Sequence, residues 1–180
     1  MTLSSRIIRV LKPTLLAVVL FYILLGVYKA RVPVGLAWNT TPSIPLGLYA
    51  TLQYNGSSLE RGQLVCFRYQ APGWAKDREY VPEGMRLCKP VAAVAGDRIT
   101  VEGAQVTVLN TDGQTQRYAL QPLDSKGRPL PQTALSSGVL GPGQLLLIAN
   151  YRPNSLDSRY LGLISQAQVT HRIWPLIAPH

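Results

Sequence analysis

Three residues able to make and break an acyl bond stand far apart in this chain. They are a serine, Ser43, in the run NTTPSIPLGLY at residues 39 to 49, a lysine, Lys89, in RLCKPVAAVAGD, and an aspartate, Asp157, in NSLDSRYLG. A serine hydroxyl is a weak nucleophile until a base takes its proton. His171 could complete a Ser-His-Asp arrangement with Asp157, but it stands beside Arg172 near the C-terminus with no motif around it, as a surface histidine would. Lysine is the other known base. Its ordinary pKa of about 10.4 leaves almost none neutral at pH 7, so burial must lower it by several units, each worth about 1.36 kcal/mol. Lys89 suits that demand, because it sits between Leu87-Cys88 and the apolar run from Val91 to Ala95. The plainer reading of the same composition is a lysine on the solvent face of an edge strand.

The elements that must position these residues begin with one apolar segment. Residues 14 to 28, TLLAVVLFYILLGVY, carry no charge. As a helix they span about 22 Å, short of the roughly 30 Å core of a bilayer, unless Lys12 and Lys29 snorkel and lengthen the usable span. Arg6, Arg9 and Lys12 precede the segment and Lys29 and Arg31 follow it, a bias toward a cytoplasmic N-terminus. A cleavable signal peptide has the same features, with a conceivable cut after Ala37 and Gly35 at the −3 position. That cut would leave Ser43 near a frayed end, so an uncleaved anchor is the favoured reading. With the segment embedded, Ser43 lies close to the membrane surface.

The chain has 180 residues, and with residues 1 to 31 set aside as an anchor with basic flanks, residues 32 to 180 suffice for one core. The net charge of +9 is scattered, with no block of five like charges, so nucleic acid is not an expected partner. Cys66 and Cys88 are the only cysteines. In an exported domain they form either a disulfide or two buried thiols. With His171 and His180 they lack the spacing of a zinc site, so neither metal nor cofactor is expected. Frequent Pro and Gly and short apolar runs predict a mainly β domain, with strands at 46–53, 62–69, 85–95, 98–102, 105–109, 116–121 and 144–150. ITVEGAQVTVLN is the clearest hairpin, turning at Glu102-Gly103. Residues 70–83 and 122–143 read as loops.

NTTPSIPLGLY, RLCKPVAAVAGDRI and NSLDSRYLG, in that order behind an N-terminal anchor, resemble the three motif regions of the type I signal peptidase family. The nearer likeness is to its TraF-type branch, the conjugative-transfer peptidases, whose serine region is similar to N-x-T-x-S-x-P-x-G-L-Y. The resemblance covers roughly residues 38 to 102 and 144 to 165. It implies a signal-peptidase-like β domain behind one transmembrane helix. Ser43 would be the acylating nucleophile and Lys89 its general base. Thr41 and the Ser43 N–H would form an oxyanion hole, Ser155 would orient the lysine, and Asp157 with Arg159 would form a supporting ion pair. Pro42 stands where a glycine usually precedes the serine, and Pro90 where an arginine usually follows the lysine.

The activity so implied is a membrane-bound serine endopeptidase with a Ser-Lys dyad, working in the periplasm or outside the bacterial cytoplasmic membrane. Its partner would be an exported precursor, pilin-like or bearing a signal peptide, cut by water or joined into a circle by an amine. The competing readings are a general signal peptidase and a non-catalytic, membrane-tethered β domain of a transfer or secretion assembly, with the 122–143 loop as its contact surface.

Overall fold

The structure is a computed structural model that describes residues 3–31, 34–150 and 152–178. His180 lies outside them. The chain divides into two compact units, Met1–Val34 and Gly35–His180. The first is the helix α1 (Leu3–Arg31), which takes in the uncharged run at residues 14 to 28. Side chains from Leu15 to Leu24 are exposed on successive positions, and therefore on every side of the helix. Among the described residues, no helix is long and apolar enough to cross a membrane.

The second unit is mainly β, as its composition predicts. Its strands are β1 (Val34–Asn39), β2 (Gly47–Gln53), β3 (Leu64–Arg68), β4 (Arg86–Ala93), β5 (Arg98–Glu102), β6 (Gln105–Leu109), β7 (Thr115–Ala119), β8 (Gly138–Val139), β9 (Gln144–Leu147), β10 (Ile164–Ser165) and β11 (Val169–Ile177). One short helix, α2 (Ser158–Leu161), lies between β9 and β10. The strands form a seven-stranded sheet in the order β1-β2-β11-β3-β4-β9-β10 and a four-stranded sheet in the order β7-β6-β5-β8. Ala92 and Ala93 of β4 and Leu146 of β9 share a core with Ile99, Val106, Val108 and Tyr118, so the smaller sheet packs against the β4–β9 side of the larger one.

Each strand expected from the sequence is present within a few residues. The β5–β6 hairpin pairs Arg98 with Leu109 through Glu102 with Gln105, and Gly103 takes the positive φ of 54° that its tight turn needs. The 70–83 loop contains a 3₁₀ turn, Gly73–Arg78. The 122–143 stretch is irregular apart from β8 and a bridge between Leu123 and Pro129.

The expectation omitted β1, β8, β10 and, most consequentially, β11, which lies between β2 and β3. β11 breaks period two twice, with register shifts between Val169 and His171 and between Pro175 and Ile177. Bulges of that kind erase the alternation by which a strand is read. The long-range pairing that β11 makes is invisible to a local pattern.

The cysteines are bridged. Cys66 of β3 and Cys88 of β4 are directly opposed in the ladder, with Cα atoms 3.9 Å apart and sulfurs 2.03 Å apart. Around the bridge lie Ile44, Tyr49 and Ile173, each almost fully buried. With the cysteines 22 positions apart in sequence, chain-entropy arguments give the crosslink about 3 kcal/mol of stability. Replacing both cysteines by alanine should lower the free energy of unfolding in urea by about that amount. The denatured but unreduced chain should take up no alkylating label, and two added labels would refute the bridge.

Candidate active site

Lys89 is only 4% exposed, in the middle of β4 and opposite Val65 of β3. Strand alternation puts it on one face with Leu87 and Val91, which pack with Val65, Phe67, Leu145 and Leu147. Its pKa falls from 10.5 to about 8, chiefly because burial penalises the ammonium, while the charge of Asp157 raises it and that of Arg159 lowers it. At pH 7 about one amine in ten is then neutral, roughly 300 times the fraction at the ordinary value. The edge-strand lysine is excluded by this burial: β4 lies between β3 and β9.

Asp157 and Arg159 are not the surface pair that a DSR turn suggests. Their side chains are 0% and 4% exposed, and two contacts join them, Nε to Oδ1 at 2.9 Å and Nη2 to Oδ2 at 2.8 Å. Asp157 caps α2, with Oδ1 accepting from the Arg159 N–H, and Oδ2 accepts from the Ala149 N–H. Arg159 also donates to the carbonyls of Ala119 and Arg152. The pair thus ties the end of β7, the chain beyond β9 and the α2 turn together beside Lys89. Within that turn the hydroxyl with a partner is that of Ser158, which accepts from the Leu147 N–H at 2.9 Å. Ser155 Oγ is buried and, among the described residues, has no hydrogen-bond partner, so it does not hold Lys89 here.

Ser43 occupies the turn between β1 and β2 and is half-buried. In the sheet β11 and β3 separate β2 from β4, which at about 4.8 Å per strand spacing sets them about 14 Å apart. The loop crosses that distance over the disulfide face, where Ile44, 2% exposed, packs with Cys66 and Cys88. Ile44, next to Ser43, and Cys88, next to Lys89, thus belong to one packed cluster. Cys88 lies on the side of the sheet that carries this cluster, while Lys89 faces the other way, and Ser43 Oγ and Lys89 Nζ make no hydrogen bond to one another among the described residues. A cavity of about 490 Å³ lies on the disulfide face, lined in part by Pro45 and Pro90, two residues beyond Ser43 and one beyond Lys89.

The Thr41 hydroxyl, expected to donate to an oxyanion, donates instead to Asn39 Oδ1 at 3.0 Å. Asn39 was not among the expected site residues, although it opens the N-x-T-x-S pattern. It ends β1, and its Nδ2 donates to the carbonyls of Thr41 at 2.7 Å, Ile44 at 3.0 Å and Pro45 at 3.0 Å. Its Oδ1 accepts from the Thr41 N–H at 3.2 Å. An asparagine followed by turn formers is the local signal for such side-chain-to-backbone bonding.

His171 does not join Asp157. It sits on β11 opposite Gln53 and Cys66, and burial followed by the charges of Arg86 and Arg68 pushes its pKa down. The Ser-His-Asp alternative is thereby removed, because the charges beside Asp157 are those of Arg159 and Lys89. Pro90 keeps its place in the ladder opposite Leu64, and its carbonyl accepts from the Ile148 N–H. With proline there, Arg159 is the cation that acts on Lys89.

Comparison with known proteins places this arrangement among relatives. A family model described as signal peptidase, peptidase S26, matches residues 7–175. Two Escherichia coli proteins called plasmid transfer protein TraF are similar to the chain. One is 32% identical over 171 residues, covering 87% of this chain and 94% of the relative. The other is 32% identical over 152 residues, covering 79% and 83%. A solved signal peptidase I from Enterococcus faecalis V583 is 18% identical with a TM-score of 0.35, covering 63% of this chain and 94% of that one.

The Asp157→Asn variant should separate the two electrostatic influences on Lys89. Loss of the carboxylate removes the charge that raises the lysine pKa and leaves Arg159 to lower it, so the midpoint should fall below about 8. Lysine Cε NMR titration would measure that. Leaving the buried guanidinium without its partner should also cost about 3 to 5 kcal/mol in urea unfolding. An unchanged midpoint together with unchanged stability would contradict the described network.

Proposed function

The chain belongs to the signal peptidase family, peptidase S26, and we propose that it is a membrane-anchored serine endopeptidase in which Ser43 and Lys89 form the dyad that cuts an exported precursor. The observation that carries this reading is the buried amine of Lys89, with a pKa of about 8. A base works best with its pKa near the working pH. Elsewhere in the chain a lysine with this burial would have no evident purpose.

In the proposed reaction the Ser43 hydroxyl attacks the scissile carbonyl while neutral Lys89 takes its proton. The developing oxyanion is met by the Ser43 N–H, which donates no hydrogen bond among the described residues. A preorganised donor of that kind is typically worth about 2.7 to 4 kcal/mol. The lysine ammonium then gives its proton to the leaving amine, and an ester joins the substrate to Ser43. Water resolves the ester with Lys89 again as base, releasing a carboxyl end. An amine of the substrate itself would resolve it to an amide and close a circle. The first step needs Ser43 Oγ and Lys89 Nζ within hydrogen-bond reach of one another, directly or through one water, a contact that the described residues do not make without substrate.

Likeness to the plasmid transfer proteins supports a precursor of a conjugative apparatus, a pilin, as the substrate. The membrane reading is supported by α1, whose uncharged run exposes apolar side chains on all sides, a surface that lipid would cover. The basic residues before that run support a cytoplasmic N-terminus and a peptidase domain on the outer face of the cytoplasmic membrane.

Ser43→Ala and Lys89→Ala should each abolish processing of a pilin-like precursor, followed by electrophoresis with the full chain in membranes. Processing at the wild-type rate in both would end the proposal. In the wild type the rate should rise with pH and level off above about 8, because only the neutral amine accepts a proton and its fraction grows as pH passes the lysine pKa. A rate flat between about pH 5 and pH 9 would remove lysine as the base. The mass of the mature product distinguishes a hydrolysed end from a closed circle.

A further inference from the structure

The carbonyls of Thr41, Ile44 and Pro45 converge on one carboxamide, that of Asn39. The same side chain accepts from the Thr41 N–H and hydroxyl, so all five contacts lie within a seven-residue loop. These contacts hold the chain at Thr41 before Ser43 and at Ile44 and Pro45 after it, and touch no atom of Ser43 itself. The Pro45 carbonyl is held a second time by the Tyr49 hydroxyl at 2.7 Å, and Tyr49 is 1% exposed. The loop is therefore closed upon itself and anchored to the core through Tyr49 and Ile44, while the serine hydroxyl and N–H are left to the substrate.

We infer that Asn39 is a positioning residue of the peptidase, closing residues 39–45 into a ring that presents the Ser43 hydroxyl and the Ser43 N–H together. The inference rests on the serine reading above. Acyl transfer needs nucleophile and oxyanion donor in one fixed relation, and a misplacement of about 1 Å can cost about 100-fold in rate. Both groups belong to one residue here, so their relation to the substrate depends on how the backbone on either side of Ser43 is held. Asn39 holds it by the carbonyls of the 41–42, 44–45 and 45–46 peptides, one before and two after the serine. The side chain must donate to several carbonyls and accept from Thr41 at once, which a carboxamide does and an ionised carboxylate does not. An aspartate of nearly the same size would set its charge against three carbonyl oxygens.

The test is steady-state hydrolysis of the p-nitrophenyl ester of N-acetyl-alanine by the full chain in detergent micelles, comparing wild type with Asn39→Asp, Asn39→Ala and Ser43→Ala. Both Asn39 variants should lose about 10- to 100-fold in kcat, with KM within about twofold of wild type. The loss in Asn39→Asp should be at least as large as in Asn39→Ala, since donation and not volume is at issue. The pH midpoint of the rate in Asn39→Ala should stay that of the wild type, because Asn39 makes no contact with Lys89. If Ser43→Ala is inactive while both Asn39 variants keep at least half of kcat, the inference fails and the serine reading stands. Turnover by Ser43→Ala at the wild-type rate would instead overturn the reading beneath it. Thermal melting decides between positioning and structure. Should Asn39→Ala fail to fold, the near-isosteric Asn39→Asp is the deciding variant, and failure of both to fold would make Asn39 a structural residue and overturn the inference.

Discussion

Burial of one amine organises this molecule. A lysine in the middle of a sheet is costly while charged, and lowering its pKa from 10.5 to about 8 corresponds to about 3 kcal/mol of preference for the neutral form. The lowered pKa persists only where the neighbours neither solvate the ammonium fully nor pair it directly. The described structure meets both conditions. Apolar side chains of β3, β4 and β9 surround the base of the side chain, and the adjacent carboxylate, Asp157, is already bound to Arg159 through two contacts. Were Asp157 free to pair with Lys89, the lysine would be held charged and would be useless as a base at neutral pH.

Arg159 therefore acts on chemistry at one remove. By occupying Asp157 it withholds the obvious counter-ion, and by its own charge it favours the neutral amine. Its remaining donors reach the Ala119 and Arg152 carbonyls, so the same guanidinium that acts on the Lys89 amine also ties the end of β7 to the chain beyond β9 near the α2 turn. Electrostatic tuning and tertiary fastening are one interaction here, which is why a short turn sequence is so deeply buried.

The serine side is built on a different principle. Ser43 lies on a loop, and loops are ordinarily the least rigid part of a domain. Rigidity comes from Asn39 within the loop and from Ile44 and Tyr49 below it, which pack against the disulfide and Ile173. The Cys66–Cys88 bridge thus lies in the cluster on which the Ser43 loop is anchored and one residue from Lys89. It links β3 to β4 through the directly opposed pair Cys66 and Cys88.

Much of this was legible in the residues themselves. Ser43, Lys89 and Asp157 carry their chemistry wherever they stand, the β5–β6 hairpin follows from alternation and a glycine turn, and the apolar run at residues 14 to 28 marks itself by its lack of charge. These are local properties, set by residue type and by neighbours within a turn or a strand. The tertiary structure alone decided that the cysteines bridge, that Lys89 is interior and not on an edge, that the Asp157–Arg159 pair is buried, and that the Thr41 hydroxyl goes to Asn39. It also inserted β11 between the strands that follow the serine and precede the lysine. Each of these depends on which distant segments lie side by side, and burial and pairing are properties of that arrangement, which the order of residues along the chain does not display.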